Sequence, residues 1–265
     1  MRVRPVLGLM LAGLCVLPVA AHAQQQPQLT ADQIVQRMLA QDAFGWEGAR
    51  TRVRMILTAR GTARRERVIQ SMSRRKDGRL QMLVRFLSPS DVAGTAFLMI
   101  ERGGGASEQY IYLPGLHRTR RITGREREGS FMGSDFSYAD FDRRDTRDSV
   151  HRKLPDETIG GVPAYVIESV PRRGAAESAY GRIQSWVRRD NFLPLRVRFF
   201  DRRGRSLKTL YGRRIRNIEG RPVVVEIRID NHQTLHTTEL VVDQLERRRD
   251  LLTDAQFTPT ALEHG

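Results

Sequence analysis

Few residues in this chain can do chemistry, and their spacing argues against most of what they could do. Downstream of the N-terminal region the histidines are His117, His151, His232, His236 and His264. His232-x-x-x-His236 would chelate zinc from one face of a helix. The apolar runs at 223–229 and 240–242 predict strands instead, where residues four apart sit ~13 Å from each other. No metal site is expected. Asp135, Asp140 and Asp142 are candidate general acids, but in so basic a chain they are expected to pair with neighbouring arginines. No Gly-x-Ser-x-Gly elbow, phosphate-binding Gly-x-x-x-x-Gly-Lys loop or His-Glu-x-x-His pair is present. Gly103-Gly104-Gly105 leads into a strand pattern, so it reads as a hairpin turn and not an anion cradle. The sequence points away from catalysis, and no cofactor is expected.

What the chain concentrates is aromatic. Between Ser130 and Phe141 stand Phe131, Met132, Phe136, Tyr138 and Phe141, spaced by small and acidic residues with no period of two. Such a cluster suits contact with hydrocarbon, methionine adapting its shape to varied chains.

The N-terminus explains the cysteine count. Met1-Arg2-Val3-Arg4 is a short basic region, residues 6–19 are apolar, and Ala21-His22-Ala23 fits a small-x-small cleavage site before Gln24. A secretory signal peptide over 1–23 is expected, leaving one domain over 24–265. The only cysteine, Cys15, lies inside it behind the bulky Leu14, which does not fit a lipoprotein signal. The mature chain then has no thiol, so no disulfide and no cysteine-ligated metal.

The 265 residues carry 45 Lys+Arg against 30 Asp+Glu, a formal charge of +15. Only Lys76, Lys153 and Lys208 are lysine. The arginines are spread along the chain and alternate with apolar residues, as in Arg50-Thr51-Arg52-Val53-Arg54-Met55, which is the outward face of a half-buried strand. A nucleic-acid binder would cluster them on one patch with aromatics between, so no nucleic-acid partner is expected. Attraction to an anionic membrane surface is the functional alternative to a merely solvated face.

Thr30-Ala31-Asp32-Gln33 is a capping box, and Ile34, Val35, Met38 and Leu39 form one stripe behind it, predicting a helix that ends near Phe44-Gly45. From Arg50 the period becomes two. Strands are predicted from residue 50, at 68–73, 80–86 (after an Asp77-Gly78 turn), 95–100 and 109–113. After an irregular stretch, 124–146, more follow near 148–154, 162–170, 180–188, 194–201, 206–216, 222–231 and 235–246. The fold class expected is mainly β: an incomplete, strongly curved antiparallel barrel of about ten or eleven strands. An N-terminal helix and a short helical or irregular lid over an apolar cavity complete it.

Four stretches carry a resemblance. They are Tyr112-Leu113-Pro114-Gly115-Leu116 running to Ile122; Ser130-Phe131-Met132-Gly133-Ser134-Asp135-Phe136-Ser137-Tyr138; Trp186-Val187-Arg188-Arg189-Asp190 running through Leu193-Pro194-Leu195 to Val197, with Gly204 beyond; and Asn231-His232-Gln233-Thr234 with Thr238-Glu239-Leu240. In these the chain resembles the outer-membrane lipoprotein-sorting protein family, a branch of the LolA/LolB-like periplasmic carriers, departing from it in its arginine enrichment. The resemblance implies an incomplete barrel wrapped over helices, with an apolar interior that holds acyl chains. It also implies a transient inner-membrane transporter of the RND/MMPL type, an outer-membrane acceptor, a periplasmic location and a monomer.

Each methylene exposed to water costs ~0.8 kcal/mol, so a carrier must enclose its cargo and also release it. The expected lid is Phe131, Met132, Phe136, Tyr138 and Phe141; fixed burial of these rings as core is the competing reading. The expected wall is Phe86, Phe97, Met99, Tyr110, Tyr112, Trp186 and Phe199, a set that a one-residue register error would invert. A ligand-sensing regulatory domain bound to a membrane signalling protein is the alternative function.

Overall fold

The computed structural model describes residues 29–264 except 43, 103–106, 143–145 and 173–177; the expected signal segment and the triple glycine lie outside the described residues. Thr30 caps helix α1 (Ala31–Ala40) as expected, its hydroxyl accepting from the Gln33 amide at 3.2 Å while Gln33 Oε1 accepts from the Thr30 amide at 2.9 Å. The helix stops four residues short of the predicted Phe44-Gly45. There Gly45 turns with φ +74°, and a Cβ would stand 2.4 Å from the Pro222 carbonyl oxygen. Trp46 then anchors the chain, its indole N–H donating to the Val224 carbonyl at 3.0 Å.

Thirteen strands follow: β1 (Ala49–Ala59), β2 (Arg65–Lys76), β3 (Arg79–Ser88), β4 (Ala96–Glu101), β5 (Ser107–Leu113), β6 (Arg118–Ile122), β7 (Ser149–Ile159), β8 (Val162–Pro171), β9 (Arg182–Arg188), β10 (Pro194–Phe200), β11 (Ser206–Ile218), β12 (Arg221–Asn231) and β13 (His236–Glu246). They form one sheet in the order β6-β5-β4-β3-β2-β1-β13-β12-β11-β10-β9-β8-β7, every neighbouring pair antiparallel. The count exceeds the ten or eleven expected. The strand without a sequence signal is β6, whose Arg118, Arg120 and Arg121 are exposed at an open edge. The other edge, β7, is mostly exposed and carries Pro155, which an edge strand tolerates.

The alternation expected in β1 holds. Val53, Met55 and Leu57 are buried while Arg52 is exposed, and Met55 pairs across to Leu240 of β13. Outward arginines face carboxylates on neighbouring strands, Arg50 with Glu246 at 2.7 Å and Arg54 with Asp243 at 3.0 Å. Such half-exposed pairs contribute ~0–1 kcal/mol each, so Arg54→Ala is expected to lower stability by less than about 1 kcal/mol in denaturant unfolding.

Both faces of β3 and β4 are buried. On one side Phe86, Phe97 and Met99 join the main core; on the other Leu83, Leu98 and Ile100 pack under the C-terminal segment through Leu252, Phe257 and Leu262. Arg74 caps that contact, its guanidinium 4.4 Å from the Phe257 ring centre. Phe257→Ala is expected to cost about 3 kcal/mol and to raise binding of a dye that reports exposed apolar surface.

Candidate functional site

The topology dictates what covers the concave face. β6 and β7 are consecutive in the chain yet stand at opposite edges of the sheet, so residues 123–148 must cross between them. The aromatic cluster is the middle of that crossing. Its contacts show how far the sheet curls. Residues 138–142 bond to β5 and to β11, seven places apart in the strand order, a distance of ~34 Å on a flat sheet.

Locally the segment is a tight loop. Met132 (φ 51°) and Gly133 (φ 73°) take left-handed backbone, and the Phe131 amide donates to the Phe136 carbonyl at 2.7 Å, bringing the two rings to one side. Ser130 and Ser134 hydroxyls close the turn onto the Ser134 and Phe131 carbonyls, at 2.5 and 2.7 Å. A 3-10 turn, Tyr138–Phe141, follows, capped by Ser137, whose amide donates to Asp140 Oδ2 at 2.8 Å. Phe131, 1% exposed, is the hub. Its ring centre lies 4.9 Å from Phe141, 5.2 Å from Phe97, 5.5 Å from Tyr138 and 5.9 Å from Phe86.

Around this apolar centre runs a polar perimeter. Lys208 of β11, buried, places Nζ 2.5 Å from Asp140 Oδ2 and donates to the Asp135 carbonyl at 2.8 Å. The Tyr180 hydroxyl donates to Asp140 Oδ1 at 2.5 Å and lies 3.1 Å from the Ser137 hydroxyl. Asp135 Oδ2 accepts from the Thr238 hydroxyl at 2.7 Å and lies 2.6 Å from His236 Nδ1. Gln109 donates to the Tyr138 carbonyl at 2.9 Å, and Arg127 pairs with Asp142 at 2.8 Å. Arg67, held below the usual arginine range by burial and by Arg65, donates to the Met132 carbonyl. Of the three acids expected to pair with arginines, Asp142 does so; Asp140 takes a lysine and Asp135 a histidine and a threonine. His232, the other half of the suspected chelate, bonds Thr209 at 2.8 Å.

The five expected lid residues are thus brought together, and Phe86, Phe97 and Met99 of the expected wall meet them. Phe199 flanks them through Tyr180, its ring centre 4.7 Å away. The remaining three need correction. Tyr110 and Tyr112 alternate with the inward Ile111 and lie under the C-terminal segment on the other face. Trp186 is three residues from Ile183, which pairs with Phe199, so it faces the opposite side. There it bonds Glu157 at 2.8 Å and lies under the Arg196 guanidinium. The anchors Lys208, Tyr180, Thr238 and His236 were missed. Lys208 alone had a signal, being a rare lysine where arginine is the habit; a compact ammonium fits where a planar guanidinium would not.

Inside the curled sheet Phe86, Phe97 and Met99 meet the chain's own rings, which occupy the space where an apolar hollow is expected. Beside the segment lies a polar cleft of about 390 Å³ bordered by Phe136, Ser137, Tyr180, Asp201, Arg203 and Lys208. Burial opposes the charge of Asp201, but the Arg205 amide, Gln233 and the Arg205 guanidinium outweigh it and hold its carboxyl down at about 2.

The same fold occurs elsewhere. An outer membrane lipoprotein-sorting protein domain from Vibrio parahaemolyticus is 30% identical over 88% of this chain and 98% of its own, with a TM-score of 0.79. This chain belongs to the outer-membrane lipoprotein-sorting protein family. A DUF1329 family protein from Desulfovibrio piger matches it at 28% identity over 88% of this chain and 97% of that one, with a TM-score of 0.76. A LolA superfamily protein from Nitrosomonas europaea, at 21% identity over 87% and 98%, shares the fold with a TM-score of 0.67. A family model described as "Uncharacterized protein" covers residues 78–264. No curated protein matches. Among the described residues no helix is long and apolar enough to cross a membrane, and no group of three His, Cys, Asp or Glu could hold a metal ion.

Proposed function

We propose that this member of the lipoprotein-sorting family is a periplasmic carrier. It shelters the acyl chains of lipoproteins or lipids between its concave face and the 130–141 segment, and moves them between membranes. An RND/MMPL-type inner-membrane transporter serves as donor and an outer-membrane component as acceptor. One observation carries the reading: the segment is apolar toward the sheet and tied down by polar bonds around its edge. Phe131, Phe136, Tyr138 and Phe141 lie over Phe86, Phe97 and Met99, so lifting the segment bares an apolar bed on one side and an apolar cover on the other. Hydrocarbon tails take the place of the rings.

The energetics fit a reversible device. A tail of about fifteen methylenes gains on the order of 12 kcal/mol on leaving water, enough to offset displaced ring contacts worth ~0.5–1.5 kcal/mol each beyond their burial. The polar perimeter exchanges its partners for water, so the open and closed forms stay within the few kcal/mol that cargo can shift.

Phe136→Asp, which sets a carboxylate where a tail must lie, is expected to abolish co-purification of lipid or acylated peptide while leaving the β circular dichroism unchanged. The measurement is mass spectrometry of organic extracts from protein isolated out of its native periplasm. Wild-type lipid levels in a folded mutant would remove the segment from the binding site.

A further inference from the structure

Strand direction sorts the turns onto two rims. β1, β3, β5, β8, β10 and β12 all run toward one of them, and their partners run away. The large apolar side chains left exposed among the described residues are Leu87, Leu116, Val150, Val170 and Leu235. Every one is on that rim. Leu87 is the unpaired residue of the irregularity just before the end of β3, opposite Val68 and Ile69; Leu116 tips the β5–β6 turn; Val150 at the start of β7 pairs with Val170 at the end of β8; Leu235 tips the β12–β13 turn. Leu116 and Leu235 are 68% and 55% exposed, and Leu235 holds φ 54°, a left-handed position that leucine occupies at a cost. At the opposite rim no large apolar side chain is exposed among the described residues.

The same rim is basic. Arg60, Arg64 and Arg65 surround the β1–β2 turn, Arg118 follows Leu116, and Arg203 and Arg205 stand on the β10–β11 turn, all exposed. The exposed acids there include Glu66, Asp91, Asp148 and Glu128, the last paired with Arg202 of the β10–β11 turn at 2.6 Å, so the arginines outnumber them. Leucine tips among arginines match the boundary of an anionic bilayer, where apolar side chains enter beneath the headgroups and cations meet the surface charge.

We propose that this rim docks on an anionic membrane, with Leu116 and Leu235 inserted and the arginines on the phosphates. The inference deepens the carrier reading by naming the surface where cargo changes hands. The Met132-Gly133 turn opens at the same rim, tied there by Arg67 at the start of β2 and, through Asp135, by His236 at the start of β13. A docked molecule therefore presents the movable end of its aromatic segment to the lipid.

The test is co-sedimentation of the purified protein with vesicles of phosphatidylcholine alone or with about 30% phosphatidylglycerol. Wild-type protein is expected to pellet with the anionic vesicles and to be released by about 0.5 M salt. Leu116→Ser with Leu235→Ser is expected to weaken binding on the order of 100-fold, and Arg64→Glu with Arg203→Glu to remove most of the salt dependence, both keeping wild-type melting temperatures. Wild-type protein left in the supernatant would overturn the proposal, as would a leucine double variant that pellets normally; the second result would give the tips to a protein partner. Protein that pellets with vesicles yet yields no acyl chains on organic extraction would sink the carrier reading and leave docking intact.

Discussion

Lys208→Met is expected to lower the unfolding free energy by about 3–5 kcal/mol, among the largest losses any single surface-distant substitution here should give. The ammonium is 4% exposed and its partner Asp140 10%. Removing the cation strands a carboxylate that keeps only the Tyr180 hydroxyl and the Ser137 amide. The Asp135 carbonyl loses its donor as well. Adding Asp140→Asn should recover much of the loss, because a neutral amide no longer needs a counter-charge. Lys208→Arg is not expected to rescue, as the larger planar head must fit between the Tyr180 and Phe199 rings, each 5.4 Å from Nζ. Denaturant unfolding gives the energies, and limited proteolysis across 130–141 reports whether the segment loosens first. A Lys208→Met protein within about 1 kcal/mol of wild type would mean that the pair does not hold the segment down.

Phe131→Ala should cost a similar ~3–5 kcal/mol and change function in the opposite direction from Phe136→Asp. Phe131 contacts rings on both sides, Phe86 and Phe97 of the sheet and Tyr138 and Phe141 of its own segment. Truncating it leaves a cavity at the centre of the closed form, whereas in the open form it takes one ring from a cover that Phe136, Tyr138 and Phe141 still supply. The equilibrium moves toward opening, so a fluorescent fatty acid should bind more tightly, by as much as the closed state is weakened. Titration with the probe checks this. Unchanged affinity alongside the stability loss would make Phe131 a permanent core residue and the segment a fixed plug.

The strands were legible because their alternation is strong: residues 50–57 announce β1 and 222–231 announce β12 almost to the residue. β6 was not, because four of its five residues are arginine or threonine and its single buried side chain, Ile122, sets no alternation. Phe86, Phe97 and Met99 lie on the inner face, although both faces of β3 and β4 are buried and alternation there marks no side. Tyr110 and Tyr112 do not. Both faces of that region are covered, so an apolar residue marks no single side, and the C-terminal segment that covers the outer face has no period of its own. Trp186 fell the same way, its apolar body shielded by arginine stems on the outer surface. The aromatic cluster was visible in composition, whereas its anchors are single polar residues on distant strands, united only by the curl of the sheet.

Because β6 and β7 share no ladder, the girth of the sheet is set by what it encloses. A wider load asks the two free edges to part, and no backbone hydrogen bond between them has to break. In the carrier we propose, one sequence then suits a single tail or several, its circumference relaxing to the width of its burden as a cuff does around wrists of different size.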